Sequence, residues 1–277
     1  MKFTCYSVII GILFILFFSC ESRRLDDNSL KVTKDGNGFL QSEIHYINDT
    51  VMHGLAKYYY YPNPKNVLKD EIEFNHGIKE GWYKHYRKAG TMESKTFFKN
   101  NIPDGENYWY YENGKIQSES FWSNNKQYGN TVLYYINGQM KHYYASDFFD
   151  NTLYVIKWDS LGNKIKEEGM VFSPKFLIAY NNDSPQSPIL DNILKVDKEI
   201  IIKITVAQPP KTKTIIRMGE LNNDRMVEMP IKNYTVNYRQ TFTEIGKHTL
   251  VTVGEIKDLR GNLLKHDSIL VKFNVIE

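Results

Sequence analysis

Apolar positions fall into three regimes along the chain. From Val8 to Phe18 they form an 11-residue run broken only by Gly11 and ending in Ser19-Cys20. Between Tyr46 and Trp158 short stretches mix aromatic and β-compatible residues with polar ones, divided by pairs such as Asn113-Gly114 and Asn137-Gly138. Beyond residue 192 alternating β-branched runs take over. The first run is too short for a membrane-spanning helix, which needs roughly 20 residues, but it fits a signal-peptide core. The stretches between turns, such as 108–112 and 115–122, are too short for stable helices and predict strands.

The middle regime repeats. Gly81, Gly105 and Gly129 are spaced by 24, as are Gly90, Gly114, Gly138 and Gly162. Side chains keep the same period: Tyr86, Tyr110, Tyr134 and Trp158 form one series, Leu68, Met92, Ile116 and Met140 a second, Phe74, Phe98 and Trp122 a third. Each unit predicts two strands. Asn-Gly is a two-residue signal for a type I′ hairpin, because both central positions favour φ above zero. Alternation puts Ile116, Ser118, Ser120 and Trp122 on one face, and Lys115, Gln117, Glu119 and Phe121 on the other. The expected architecture is an elongated antiparallel β-meander in which stacked aromatic ladders replace a compact core.

The glycine, paired aromatics, Asn-Gly turn and following aromatic strand, as in residues 105–122 and 129–144, resemble the bacterial variant of MORN repeats found in antitoxin-like MORN repeat proteins. The resemblance covers about residues 38–169, with Pro62-Asn63-Pro64 as an insertion near its start. It implies a scaffolding or interaction module, and it weakens any enzymatic reading.

Residues 170–192 lose the pattern, and the turn formers of 181–188 mark them as a linker. The later runs 199–207, 212–218, 226–242, 247–256 and 268–276 predict a small β-sandwich over residues 193–277. Its closing strands resemble those of immunoglobulin-like domains of bacterial surface proteins. The fold class expected for the whole chain is therefore all-β: 24-residue MORN-like repeats followed by a sandwich.

The amino-terminal regime supplies an address. Ser19-Cys20 followed by a polar stretch resembles a bacterial lipoprotein signal, which implies removal of residues 1–19, acylation at Cys20 and a polar tether over residues 20–37. Phe17 and Phe18 stand where the usual lipobox has Leu and a small residue, so ordinary secretion with nearby cleavage and an uncleaved anchor remain alternatives. Cys5 and Cys20 are the only cysteines, so a chain processed at Cys20 has no possible disulfide. Acylation implies a lipid-anchored protein of the cell envelope, on the outer membrane, with the membrane itself as one partner.

Composition narrows the remaining choices. The 277 residues are 42% hydrophobic and 24% charged, with 35 basic and 32 acidic side chains for a net charge of +3. Such balance lacks the basic stripe of a nucleic-acid binder. Seven histidines are scattered without a metal-binding spacing, and neither a Gly-x-Ser-x-Gly elbow nor a phosphate loop occurs. No cofactor, metal or catalytic residue is expected. Adjacent acids such as Asp70-Glu71 should point to opposite faces of a strand and form no acid/base pair. His53-Gly54 and His76-Gly77 are expected as polar strand ends.

The aromatics are the remaining candidates. Of 20 tyrosines, 16 lie between Tyr46 and Trp158, together with all four tryptophans. Tyr86, Tyr110, Tyr134 and Trp158 are the candidate ligand-facing set, with the alternative that they form the sheet's own core. The expected function is envelope binding or scaffolding of a protein or glycan partner, without catalysis. An antitoxin or immunity role and an envelope carbohydrate-active hydrolase are the alternatives.

Overall fold

The computed structural model describes residues 28–62, 65–173, 177–180, 193–197, 199–221 and 225–277. It is all-β. Strands β1 (Asn28–Lys34), β2 (Leu40–Ile47), β3 (Val51–Tyr59), β4 (Leu68–Asn75), β5 (Ile78–Tyr86), β6 (Met92–Lys99), β7 (Ile102–Tyr110), β8 (Ile116–Ser123), β9 (Lys126–Tyr134), β10 (Met140–Ser146), β11 (Thr152–Trp158) and β12 (Lys164–Gly169) form one 12-stranded antiparallel meander in sequence order. There follow β13 (Leu177–Tyr180), β14 (Ile193–Lys195), β15 (Glu199–Thr205), β16 (Thr212–Glu220), β17 (Val227–Met229), β18 (Thr235–Thr241), β19 (Gly246–Asp258) and β20 (Leu263–Ile276). These make a three-stranded sheet ordered β13-β15-β18 and a five-stranded sheet ordered β14-β20-β19-β16-β17.

The 24-residue period decomposes physically. An 8-residue strand such as β6, a two-residue turn, a 9-residue strand such as β7 and a five-residue connection complete one unit. The turns differ from expectation. Asn113 and Asn137 do not adopt positive φ; only Gly114 (78°) and Gly138 (92°) do. Gly114 N–H bonds to the Tyr111 carbonyl at 3.0 Å, and the register shifts at Tyr110. This is a type I turn closed by a left-handed glycine and a bulge, not the type I′ turn expected of Asn-Gly. Asn113 serves it differently, accepting the Lys115 N–H at 3.1 Å. The two-residue turns with both positions at positive φ lie on the opposite edge, at His76-Gly77, Asn100-Asn101 and Asn124-Asn125.

The glycines of the other series sit in strand bulges. At Gly105, φ is 150° and a Cβ would lie 2.9 Å from Phe97 Cβ, so only glycine admits the neighbouring strand.

Aromatics 24 residues apart do not stack. Their backbones lie two strands, about 9.5 Å, apart, and among the described residues no ring contact joins them. Ring contacts join neighbouring strands, as in Trp82–Phe97 at 5.3 Å and Tyr83–Phe98 at 6.0 Å, and reach across β6 between Trp82 and Tyr108 at 6.3 Å. Successive units are linked by side chain to backbone. The residue after each ladder position donates to the carbonyl of the next ladder residue: Tyr60 Oη to Tyr86 O (2.5 Å), Arg87 Nη2 to Tyr110 O (2.7 Å), Tyr111 Oη to Tyr134 O (2.7 Å) and Tyr135 Oη to Trp158 O (3.1 Å). On the other edge Asn101 N–H bonds to Lys79 O and Asn125 N–H to Pro103 O.

The conventional core lies at the carboxyl-terminal end of the meander. Val132, Tyr143 and Ile156 join Phe172, Ile202, Ile204, Ile216, Met218 and Phe273 in one buried cluster. Each such side chain contributes about 1.5–3 kcal/mol when fully buried. Asn130 secures the junction: its Nδ2 donates to Gln208 O at 2.5 Å, while its Oδ1 accepts from Tyr143 Oη at 2.7 Å. Tyr234 packs over Gly129, where a Cβ would lie 2.5 Å from the ring.

Two boundaries therefore differ from those expected. Residues 28–34 of the expected tether form β1, paired along the whole of β2. Val171, Phe172 and Ser173, the start of the expected linker, are buried at the junction. The run 226–242 is divided by positive φ at Asn233 and Tyr234. Cys20 and the apolar run lie outside the described residues.

Replacing Tyr111 by Phe keeps the ring and removes one inter-unit donor. Its unfolding free energy, measured in urea, is expected to fall by about 1 kcal/mol, the ordinary worth of such a bond. An unchanged midpoint would show that the clamp contributes nothing.

Candidate functional site

Pairing assigns each side chain to a face of the meander. Glu71, Lys84, Lys95, Tyr108, Glu119, Val132, Tyr143 and Ile156 are successive cross-strand partners and so share one face. Its far end is the face that joins the buried core. Asp70, His85, Ser94, Trp109 and Ser118 are likewise successive partners on the opposite face.

The four aromatics nominated by the sequence belong to the structure of the core-bearing face or its margin. Tyr86 Oη donates to Glu71 Oε2 at 2.9 Å, and Tyr134 Oη donates to Glu119. Burial, the bond to Glu71 and its charge push the Tyr86 hydroxyl up to about 12, so it stays a donor over the ordinary pH range. Tyr134 is raised for the same reasons, with Glu119 as partner. At Tyr110 the corresponding acceptor position is Lys95, whose ammonium lies 4.5 Å from the Trp82 ring centroid and 4.4 Å from that of Tyr108; burial raises the Tyr110 hydroxyl. Trp158 packs with Tyr134 against the core cluster.

The opposite face carries a groove of about 420 Å³ across β5 to β8, lined by Tyr83, His85, Ser94, Thr96, Phe98, Pro103, Asn107, Trp109, Trp122 and Asn125. Its floor is short and polar, with Ser94 and Asn107 buried. Asn107 Nδ2 donates to Thr96 Oγ1 at 2.6 Å, Ser120 Oγ to Asn107 Oδ1 at 3.4 Å and Trp122 Nε1 to Ser120 Oγ at 3.2 Å. Trp109 is 45% exposed, so its indole is open to contact.

The hollow exists because the repeat changes its side chains here. One unit earlier, Asp70, Tyr83 and His85 fill the positions of Ser94, Asn107 and Trp109. Tyr83 Oη and His85 Nδ1 converge on Asp70 Oδ1 at 2.8 and 2.7 Å, and His85 Nε2 lies 3.4 Å from Glu93. Burial, then the hydrogen bond and charge of Asp70, raise the Tyr83 hydroxyl. The two carboxylates thus hold the histidine from both sides. Phe98 and Trp122 keep the 24-residue period, whereas Ser94, Asn107 and Trp109 depart from it.

Other sequence candidates resolve simply. Asp70 faces the groove side while Glu71 bonds Lys84 and Tyr86 on the other face, as strand alternation requires. His53 and His76 meet edge-on at 4.9 Å, and no group of three metal-ligating side chains exists among the described residues. A larger hollow of about 490 Å³ at the junction contains the stacked Tyr128 and Phe148. Tyr128 is already bound there to the Asn233 carbonyl. No helix among the described residues is long and apolar enough to cross a membrane.

No family model matches the chain, and no curated protein matches it.

The exposure of Trp109 makes it the indole most open to reagent. Limited N-bromosuccinimide treatment is expected to oxidise Trp109 first, with the rapid phase missing from Trp109→Phe. First oxidation at Trp82 or Trp158 would contradict the assignment of the faces.

Proposed function

We propose that the protein is a lipid-anchored binding module of the cell envelope, on the outer membrane, which engages a partner through the open face of MORN-like repeats without catalysing a reaction. The groove carries this reading. It sets an exposed indole beside a polar floor, and its position on one face leaves the other free to pack against the carboxyl-terminal sheets. The orientation of Asp70 and Glu93 toward His85 favours binding over hydrolysis, because neither acid is presented alone to a groove ligand. Anchoring rests on the short apolar run before Cys20. Acyl chains there would hold the binding face at the membrane surface.

The anchor has a direct test. The full chain expressed in a bacterial host is expected to partition with membranes and to carry an acylated Cys20 by mass spectrometry, whereas Cys20→Ala loses the lipid and shifts to the soluble fraction. An unmodified Cys20 in the wild type would refute the anchoring.

A further inference from the structure

We infer that the groove binds a neutral carbohydrate chain, by ring stacking on Trp109 and Trp122 and by hydrogen bonds to the uncharged groups that line it beside them. The inference rests on the binding reading above and names its ligand class.

Charge is the first observation. Among the described residues lining the groove there is no lysine, arginine, aspartate or glutamate, although a quarter of the chain is charged. His85 is the one imidazole in the lining, and Asp70 and Glu93 occupy its two nitrogens. Lys79 stands at the rim near Phe98, its ammonium 5.5 Å from the ring centroid. A charged ligand would find no counter-charge on the floor. A ligand with no polar groups would strip water from Ser94 and Asn125 without return.

The unpaired polar groups are the second observation. Among the described residues, the Ser94 hydroxyl, the Trp109 indole N–H and the Asn125 carboxamide have no hydrogen-bond partner. The repeat explains the last. One unit earlier the Lys79 N–H donates to Asn101 Oδ1 at 2.8 Å. The residue equivalent to Lys79 is Pro103, which has no N–H, while the Asn125 N–H still bonds to the Pro103 carbonyl at 3.0 Å. The Asn125 side chain is thereby released at the groove edge.

Rings and hydroxyls together define the occupant. Indole faces accept the apolar C–H faces of pyranose rings, and hydroxyl, indole N–H and carboxamide groups match sugar hydroxyls, which both donate and accept. A peptide added as an extended strand would need an unpaired strand edge. The strands at the groove, β5 to β8, are each paired on both sides.

Affinity electrophoresis and calorimetry of the full chain in detergent micelles provide the test, with soluble glucans, mannans and N-acetylglucosamine oligomers, anionic polygalacturonate and an extended-peptide library as probes. At least one neutral saccharide is expected to bind. Trp109→Ala and Trp122→Ala should each weaken it tenfold or more, with folding checked by circular dichroism, while Trp109→Phe stays within about threefold of wild type. Pro103→Ala restores the N–H that captures Asn125 and should also weaken binding. Tyr86→Phe, on the other face, should leave it unchanged. Peptide retention lost in Trp109→Ala, or preference for polygalacturonate, would overturn the carbohydrate assignment and leave the binding reading standing. Saccharide binding indifferent to both tryptophans would overturn the groove as its site. Retention of neither class would overturn both readings.

Discussion

The meander depends on the hydrogen bond that leaves one unit's side chain and ends on the next unit's backbone. Tyr60, Arg87, Tyr111 and Tyr135 each reach the carbonyl of the ladder residue that follows. A single-layer sheet has little enclosed volume, so neighbour-to-neighbour contacts must set its stability, as in other repeat architectures. These bonds tie units separated by two strands, which pairing alone does not join. The turn backbones on the opposite edge add a second line of such bonds. Between the two lines the strands of successive units are tied at both ends.

The faces then diverge. At the carboxyl-terminal end one face receives Phe172, Tyr234 and the two smaller sheets, and becomes the wall of a real core. Farther back the same face is covered by its own Tyr–Glu bonds and by Lys95 above Trp82 and Tyr108. Among the described residues no layer lies over the β5–β8 groove on the other face. Short side chains at Ser94 and Asn107 between larger neighbours leave a hollow there. The packed core and the open groove are thereby separated onto opposite sides of one sheet.

Much of this was legible. The glycine series exposed the period because positive φ and close strand approach restrict those positions to glycine. Alternation correctly separated Asp70 from Glu71 and Trp122 from Phe121. The turn type was not legible from Asn-Gly, since a type I turn with a glycine bulge uses the same pair, and the true two-residue turns carry Asn-Asn or His-Gly. The inter-unit donors escaped notice because one is arginine among tyrosines, and β1 did so because its residues are largely polar. β13 and β14 are only four and three residues long. The groove was hidden for another reason: it arises where residues depart from the repeat, and the face that packs is decided by the distant docking of Phe172, Tyr234 and the core residues of β15 to β20.

The four tryptophans sample both sides of the sheet, with Trp109 and Trp122 in the groove, Trp82 under Lys95 and Trp158 against the core. Fluorine NMR of the 5-fluorotryptophan-labelled full chain, titrated with a solubilised digest of envelope glycans and peptides, therefore tests the division of the faces directly. The account predicts that the Trp109 and Trp122 lines shift while those of Trp82 and Trp158 stay in place. Movement of Trp82 or Trp158 with a silent groove would contradict it.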